Sequence, residues 1–333
     1  MLLFAAHDPG AKNHIRPIYN KAVTEGNEAK FVDLMSNHEL LHDEVAIKLI
    51  NGYRPSLLVS GSSMNQGEGA LVGACRSLGI LSVSVVDISI AGKFNGRPAD
   101  RMPDLLLVTN KGCIAELGLT GTAHPEAILV GSSHLETLIE TPLILDKSIA
   151  SRLYGIPRES TLLAFFGIPD CDYSINAVNS LGTLLPTTQL GSAKVIVRPH
   201  PRMPNKDLLE DACNRFSSFI FDGKDNISTP DLISLSRMSL SMASTVSLES
   251  MVMGIPSAFY QIGWDYAYYD GLYNNVEDVR RIRSADDLTS FIGQSLLDKN
   301  PFNGLEIEHC VGALDRTWKA LQALVPSIQK TTQ

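Results

Sequence analysis

Near the start of the chain two histidines and an aspartate crowd together in "HDPGAKNH", residues 7 to 14. Asp8 or His14 suits general-base work, since a carboxylate or an imidazole can take a proton from a hydroxyl that it reaches. In the second half a histidine stands between prolines and arginines in "VIVRPHPRMP", residues 195 to 204. Arg198 and Arg202 bring forked donors suited to a phosphate, and His200 adds another. Pro199 and Pro201 restrict the backbone on either side of the imidazole. A strand-ending turn with solvated arginines accounts for the same letters equally well.

A third group is "STVSLESMVMGIP", residues 244 to 256. Ser244 and Thr245 fall where a strand gives way to a helix, the N-cap position, where unpaired N–H groups and the helix dipole favour an anion. Glu249, one turn further on, is expected to accept hydrogen bonds from a ribose diol rather than to sit exposed. Gly167 ends an apolar run and lets backbone approach a ligand, and Gly10 lies in the first loop. The stretch "QIGWDYAYYDGLY", residues 261 to 273, is aromatic enough to stack a base or to pack as a covering loop. "SGSSMNQGEG" (60–69) and "GSSHLE" (131–136) are weaker candidates, and Glu68 reads as an ordinary acidic residue in a first helical turn.

Such residues need strand ends to carry them. Short apolar runs alternate with amphipathic stretches along the whole chain, the βαβα pattern of parallel sheets. Strands are predicted over 2–5, 29–33, 56–60, 81–86, 104–108 and 127–130, with helices over 14–25, 39–51 and 67–78. After a looser stretch at 137–160 come strands over 161–166, 193–198, 217–221, 238–242 and 256–260. Helices follow over 172–185, 206–215, 230–236, 245–253 and 285–298. The reading is an α/β chain of two doubly wound domains, 1–150 and 151–308, with an amphipathic helix over 309–330 packing back on the first. In such folds ligands lie at strand C-termini and in the cleft between domains.

The 333 residues exceed one ordinary core and fit two domains of roughly 150 each. A net charge of −8, from 28 basic and 36 acidic residues, argues against broad nucleic-acid binding. Cys75, Cys113, Cys171, Cys213 and Cys310 are scattered, with no CxxC pair, so a reducing cytoplasm is the simplest home. The opening residues read as a buried strand rather than a signal peptide. Peripheral contact with the inner face of a membrane stays open. No P-loop and no GxGxxG occurs, which lowers the kinase and dinucleotide-oxidoreductase readings.

On these residues a resemblance rests. "STVSLESMVMGIP" resembles the donor-site segment of GT-B glycosyltransferases and of the related hydrolysing UDP-N-acetylglucosamine 2-epimerases, with Glu249 five residues before Gly254 and Pro256 after it. The His200-Pro201 pair with the later Ser244-Thr245 resembles bacterial sialyltransferases, polysialyltransferases and Kdo transferases. "NHIRPIYNKA" is similar to the G-H-x-x-P segment of inverting GT-B transferases, but with Asn13 in place of glycine. Asp8 in "DPG" resembles the acidic-Gly motif of the sialyltransferase-like enzymes and is set slightly ahead of His14 as base.

The resemblance implies a GT-B fold of two Rossmann-like domains facing a central cleft. It further implies an inverting, metal-independent glycosyltransferase of bacterial surface glycan or capsule biosynthesis. The donor would be a CMP- or UDP-sugar and the acceptor a glycan, lipid-linked or other hydroxyl, with no cofactor. Arg198, His200, Arg202, Ser244 and Thr245 would hold the donor phosphate, Glu249 the ribose, with Gly10 and Gly167 nearby. The alternatives are a hydrolysing 2-epimerase and a non-catalytic sugar-nucleotide-binding module.

Overall fold

The computed structural model describes residues 1–35, 42–63, 66–87, 94, 97–119, 125–141, 146–242, 244–263, 280–297 and 310–325. The chain divides into two compact units. One holds Met1–Thr137, Gly271–Asn275 and Glu306–Gln333; the other holds Leu138–Asp270 and Val276–Leu305.

The first unit is built on a six-stranded parallel sheet in the order β2-β1-β3-β4-β5-β6. Its strands are β1 (Leu2–Ala6), β2 (Ala29–Asp33), β3 (Leu57–Ser60), β4 (Leu81–Val85), β5 (Leu105–Val108) and β6 (Glu126–Leu129). Helices α1 (Pro9–Thr24), α2 (Asp43–Tyr53), α3 (Gln66–Ser77), α4 (Lys111–Leu119) and α5 (Ser133–Glu140) connect or follow them. The run "LLFAA" is apolar at every position because both faces of β1 are covered. Leu2, Phe4 and Ala6 pack with Ile15 and Ile18 of α1. Leu3 and Ala5 point the other way, to Ile50 of α2 and Leu71 of α3. A late helix, α12 (Ala313–Leu324), places Trp318 and Leu321 in the α1 cluster, and Asp315 pairs with Lys21 at 3.0 Å.

Helix α1 starts five residues before the predicted 14. Pro9 is its first residue, where a fixed φ and a missing N–H cost nothing, so "DPG" opens a helix instead of continuing a loop. The turnless stretch around 137–160 also contains helix that periodicity did not reveal: α5 runs to Glu140, and α6 (Ser148–Tyr154) follows.

The second unit repeats the plan in the order β12-β11-β10-β7-β8-β9. Its strands are β7 (Leu162–Phe166), β8 (Lys194–Arg198), β9 (Phe219–Phe221), β10 (Met238–Ser241), β11 (Ser257–Tyr260) and β12 (Arg280–Ile282), all paired in parallel. The helices are α7 (Cys171–Leu184), α8 (Lys206–Cys213), α9 (Thr229–Leu235), α10 (Val246–Val252) and α11 (Ala285–Leu297). Strand β12 was not predicted, because a three-residue "RRI" carries no apolar run. In each sheet the order reverses once, between β1 and β3 and between β7 and β10. Those reversals are where open α/β sheets leave room for ligands beyond the strand C-termini.

Candidate functional site

In the second unit a cavity of about 270 Å3 opens beyond the C-terminal ends of β7 and β8. Phe166 and Gly167 come from the end of β7, Arg198 to Pro201 from the end of β8, and Asp225, Ile227, Ser228 and Thr229 from the segment between β9 and the start of the next helix. Ser244 and Val246, between β10 and α10, close the other side. The cavity therefore sits at the sheet's reversal, and four of the sequence-predicted residues, Gly167, Arg198, His200 and Ser244, line it together.

His200 is half-buried, and its Nδ1 accepts the backbone N–H of Arg202 at 3.1 Å. With Nδ1 acting as acceptor, the neutral ring carries its proton on Nε2. The "HPR" turn thus fixes both ring plane and tautomer. Arg202 acts through that backbone bond; its exposed side chain is not part of the cavity wall.

Arg198 departs from the expectation of a phosphate ligand. Its side chain is 5% exposed, and Nε donates to Asp222 Oδ2 at 3.0 Å while Nη2 reaches the same oxygen. Nη2 also donates to the Ile227 carbonyl at 2.8 Å, and Nη1 to Thr229 Oγ1 at 3.4 Å. Asp222 is fully buried, and its Oδ1 takes the backbone and side-chain N–H groups of Asn226. Asp225 adds a second carboxylate, 3.4 Å from Nε. With both carboxylates on it, the guanidinium is neutralised and holds the 222–229 loop under the cavity. The Tyr154 hydroxyl is buried beside this pair, short of hydrogen-bond geometry; burial, and then the charge of Asp222, push its pKa up.

Helix α10 docks through serines. Ser239 of β10 shares hydrogen bonds with Ser250 at 2.7 Å and with Ser257 at 2.8 Å, and Ser241 bonds Ser247 at 2.8 Å. Two serines of "STVSLES" therefore seat the helix on the sheet. Ser244 accepts the Val246 N–H at 3.3 Å. Thr245 is the N-cap residue but makes no side-chain cap bond; its hydroxyl donates to Glu249 Oε1 at 3.3 Å. Glu249 is 3% exposed and is absent from the cavity wall, so the structure does not bring it or Thr245 together with His200. Gly167 meets a packing need as well: a Cβ there would lie 3.1 Å from Ser174 Oγ and 3.2 Å from Met203 Cε.

In the first unit His7 and Asp8 follow β1 at the sheet's reversal. His7 Nδ1 lies 3.1 Å from Asp8 Oδ1, with side-chain exposures of 7% and 21%. Asp8 is the N-cap of α1 yet makes no side-chain cap bond. His14 is placed elsewhere: 2% exposed in α1, its Nδ1 is 3.3 Å from Ser132 Oγ, and its ring meets His134 edge-on. Gly10 lies in the first turn of α1, where a methyl would make only ordinary contact with Asp87.

One residue that sequence reasoning passed over is central here. Glu68 is fully buried, and burial pushes its carboxyl above the usual range while bonds from Ser63 and His7 pull it back. Its buried environment leaves no trace in the letters "GEG", because an acidic residue in a first helical turn is commonplace. Residues 264–273 of the aromatic segment lie outside the described residues. Among the described residues, no cluster of three or more His, Cys, Asp or Glu could hold a metal ion, and no helix is long and apolar enough to cross a membrane.

No protein-family model matches the sequence, and neither does any curated protein. Solved structures do match the fold. A UDP-GlcNAc 2-epimerase from Neisseria meningitidis, bound to UDP-GlcNAc, is similar with a TM-score of 0.71 at 10% identity, covering 97% of this chain and 99% of its own. A glycosyltransferase from Rickettsia africae gives 0.61 at 9% identity, over 99% of each chain. Acinetobacter baumannii MurG gives 0.57 at 8% identity, over 97% of this chain and 99% of its own. The fold is α/β and GT-B-like, with two six-stranded parallel sheets, as expected from the sequence.

Proposed function

We propose that the protein is an inverting glycosyltransferase that moves a sugar from a nucleotide-activated donor to a hydroxyl acceptor, without a metal. The observation that carries this reading is the cavity at the reversal of the second sheet, with His200 held by Arg202 so that Nε2–H is the donor. In the reaction Asp8 takes the proton of the acceptor hydroxyl, whose oxygen attacks the anomeric carbon. The bond from that carbon to the phosphate oxygen breaks, and the phosphate leaves with the electron pair. His200 and the Ser244 hydroxyl stabilise the charge growing on it, an effect that preorganised donors supply well. The donor is a CMP- or UDP-sugar, the acceptor a glycan or lipid-linked hydroxyl, and surface polysaccharide assembly is the setting.

Asp8 is preferred to His14 as base because it is the more exposed of the two and is oriented by His7. A second reading, a hydrolysing sugar-nucleotide 2-epimerase, is supported by the higher TM-scores to epimerases, 0.71 against 0.61 and 0.57 for the transferases. Incubation with CMP- and UDP-sugars, with and without an acceptor panel, separates the two. Transfer that needs an acceptor and disappears in Asp8→Asn supports the transferase. A free epimerised sugar from donor alone supports the epimerase. Neither product, with nucleotide still raising the melting temperature, would leave a binding module.

A further inference from the structure

We propose that Glu68 is a positioning residue for Asp8: a buried carboxylate that clamps the β1 and β3 loops together at the reversal of the first sheet. This rests on the reading of Asp8 as base.

Glu68 stands in the first turn of α3 and reaches back beneath two strand ends. Its Oε1 accepts the backbone N–H of His7 at 3.0 Å. Its Oε2 accepts the backbone N–H of Ser63 at 3.0 Å and the Ser63 hydroxyl as well. One carboxylate thus holds three donors from the two loops, past the last backbone bond between the strands, Gly61 N–H to the Ala5 carbonyl at 2.9 Å. A carboxylate so filled, with no exposure, is not itself placed to take a proton from a substrate.

Three neighbours are arranged around it. Gly61 leaves the space: a Cβ there would stand 2.6 Å from Ala11 Cβ and 2.8 Å from Glu68 Oε1, so any larger residue pushes the carboxylate off its donors. Arg97 provides a nearby positive charge, stacks 4.7 Å from the Phe94 ring, and points Nη2 at the Ser63 carbonyl at 3.5 Å. Its Nη1 is buried without a hydrogen-bond partner among the described residues. Arg97 and Glu68 form no ion pair, so the carboxylate keeps both oxygens for the loops. Buried charge of this kind is expensive to keep in place of an apolar contact, and it is retained here at a position that decides one geometry.

That geometry is the His7–Asp8 contact. The bond from Glu68 fixes the backbone N–H of His7. The backbone in turn sets where the His7 ring stands, and the ring holds Asp8 Oδ1 at 3.1 Å. The Asp8 carboxylate makes no helix-cap bond, and the His7 ring is one of the groups that direct it. Misplacing a base by about an ångström can cost about 100-fold in rate.

The test uses the full chain carrying Glu68→Gln, with Ser63→Ala as a milder variant that keeps the carboxylate and removes one donor. Two measurements are made: 15N spectra of labelled histidine, with His7 assigned by its loss in His7→Asn, and steady-state kinetics. In the wild type His7 should carry its proton on Nδ1, facing Asp8, and Glu68→Gln should scramble that tautomer. The kcat should fall by about 100-fold in Glu68→Gln and about tenfold in Ser63→Ala, with donor KM within about twofold in both. An unchanged His7 tautomer in a folded Glu68→Gln chain overturns the proposal, whatever happens to the rate. So does a rise in donor KM at constant kcat. If the tautomer shifts while even the wild type transfers no sugar, the clamp stands and the transferase reading fails.

Discussion

In the second unit the buried Arg198 guanidinium meets the buried Asp222 carboxylate directly, whereas in the first the buried Glu68 carboxylate is held by neutral donors and no ion pair joins it to Arg97. Both arrangements lie beyond strand C-termini, behind loops that carry candidate functional residues. The direct pair cancels its own charge and fixes the 222–229 loop from the end of the neighbouring strand β8. The clamp meets only neutral donors and ties parts of the chain 61 residues apart in sequence, from His7 to Glu68. A direct pair is suited to building a floor; a clamp is suited to fixing the direction of something beside it. In the proposed transferase the charge work of the cavity falls to His200 and Ser244.

The sharpest way to break that comparison is His200→Ala. Removing one preorganised donor from a leaving group typically costs about 10²–10³ in kcat, and the same loss is expected here. His200 is half-buried on a turn, so the melting temperature should move by no more than a degree or two, on the order of a surface substitution. Initial rates and a thermal melt on the same preparation check both halves. Wild-type kcat in a folded His200→Ala chain would remove the cavity from the chemistry.

Next in size is Arg198→Met, where the expected loss is in stability. Taking away one member of a buried pair leaves Asp222 ionised without its partner, which costs about 3–5 kcal/mol. For a unit of this size that is about 10 °C in the melting midpoint, read by calorimetry. Nucleotide binding to the protein that remains folded should be close to wild type. If instead binding is lost and the midpoint holds, Arg198 is a ligand and not a floor.

These two arginine and histidine positions show what the sequence could and could not convey. The alternation of apolar runs and amphipathic stretches predicted every strand but β12 to within two residues at either end, because a strand buried on both faces leaves little freedom in composition. It also placed His200, Gly167 and Ser244 after strand ends, and the three line one cavity. It could not say that Arg198 turns inward. That depends on Asp222, 24 residues later on a neighbouring strand's end, and no local pattern marks such a pair. Glu68 was hidden for the same reason: its partners His7 and Ser63 are brought to it by the register of β1 against β3. Glu249 shows the limit of spacing. Its spacing to Gly254 was legible, but its carboxylate bonds Thr245 within its own helix region.

The smallest effect discriminates between the two designs by sign alone. Burial raises the folded-state pKa of Glu68 above its ordinary value, so the native chain holds that proton more tightly than the unfolded one. Stability from this group is therefore fully present below the ordinary glutamate pKa and is lost as pH rises through the raised one. Asp146 and Asp287 are held low by hydrogen bonds from Ser148 and from Arg283 and Ser284, and they work in the opposite direction. Taking the difference in melting temperature between wild type and Glu68→Gln at each pH cancels their contribution. That difference should favour the wild type most at acid pH and decline steadily toward neutrality. A difference that grows toward neutrality would mean that the Ser63 and His7 donors outweigh burial. Glu68 would then be held as firmly as the carboxylate of a direct pair, and the two units would be alike in how they keep a buried charge.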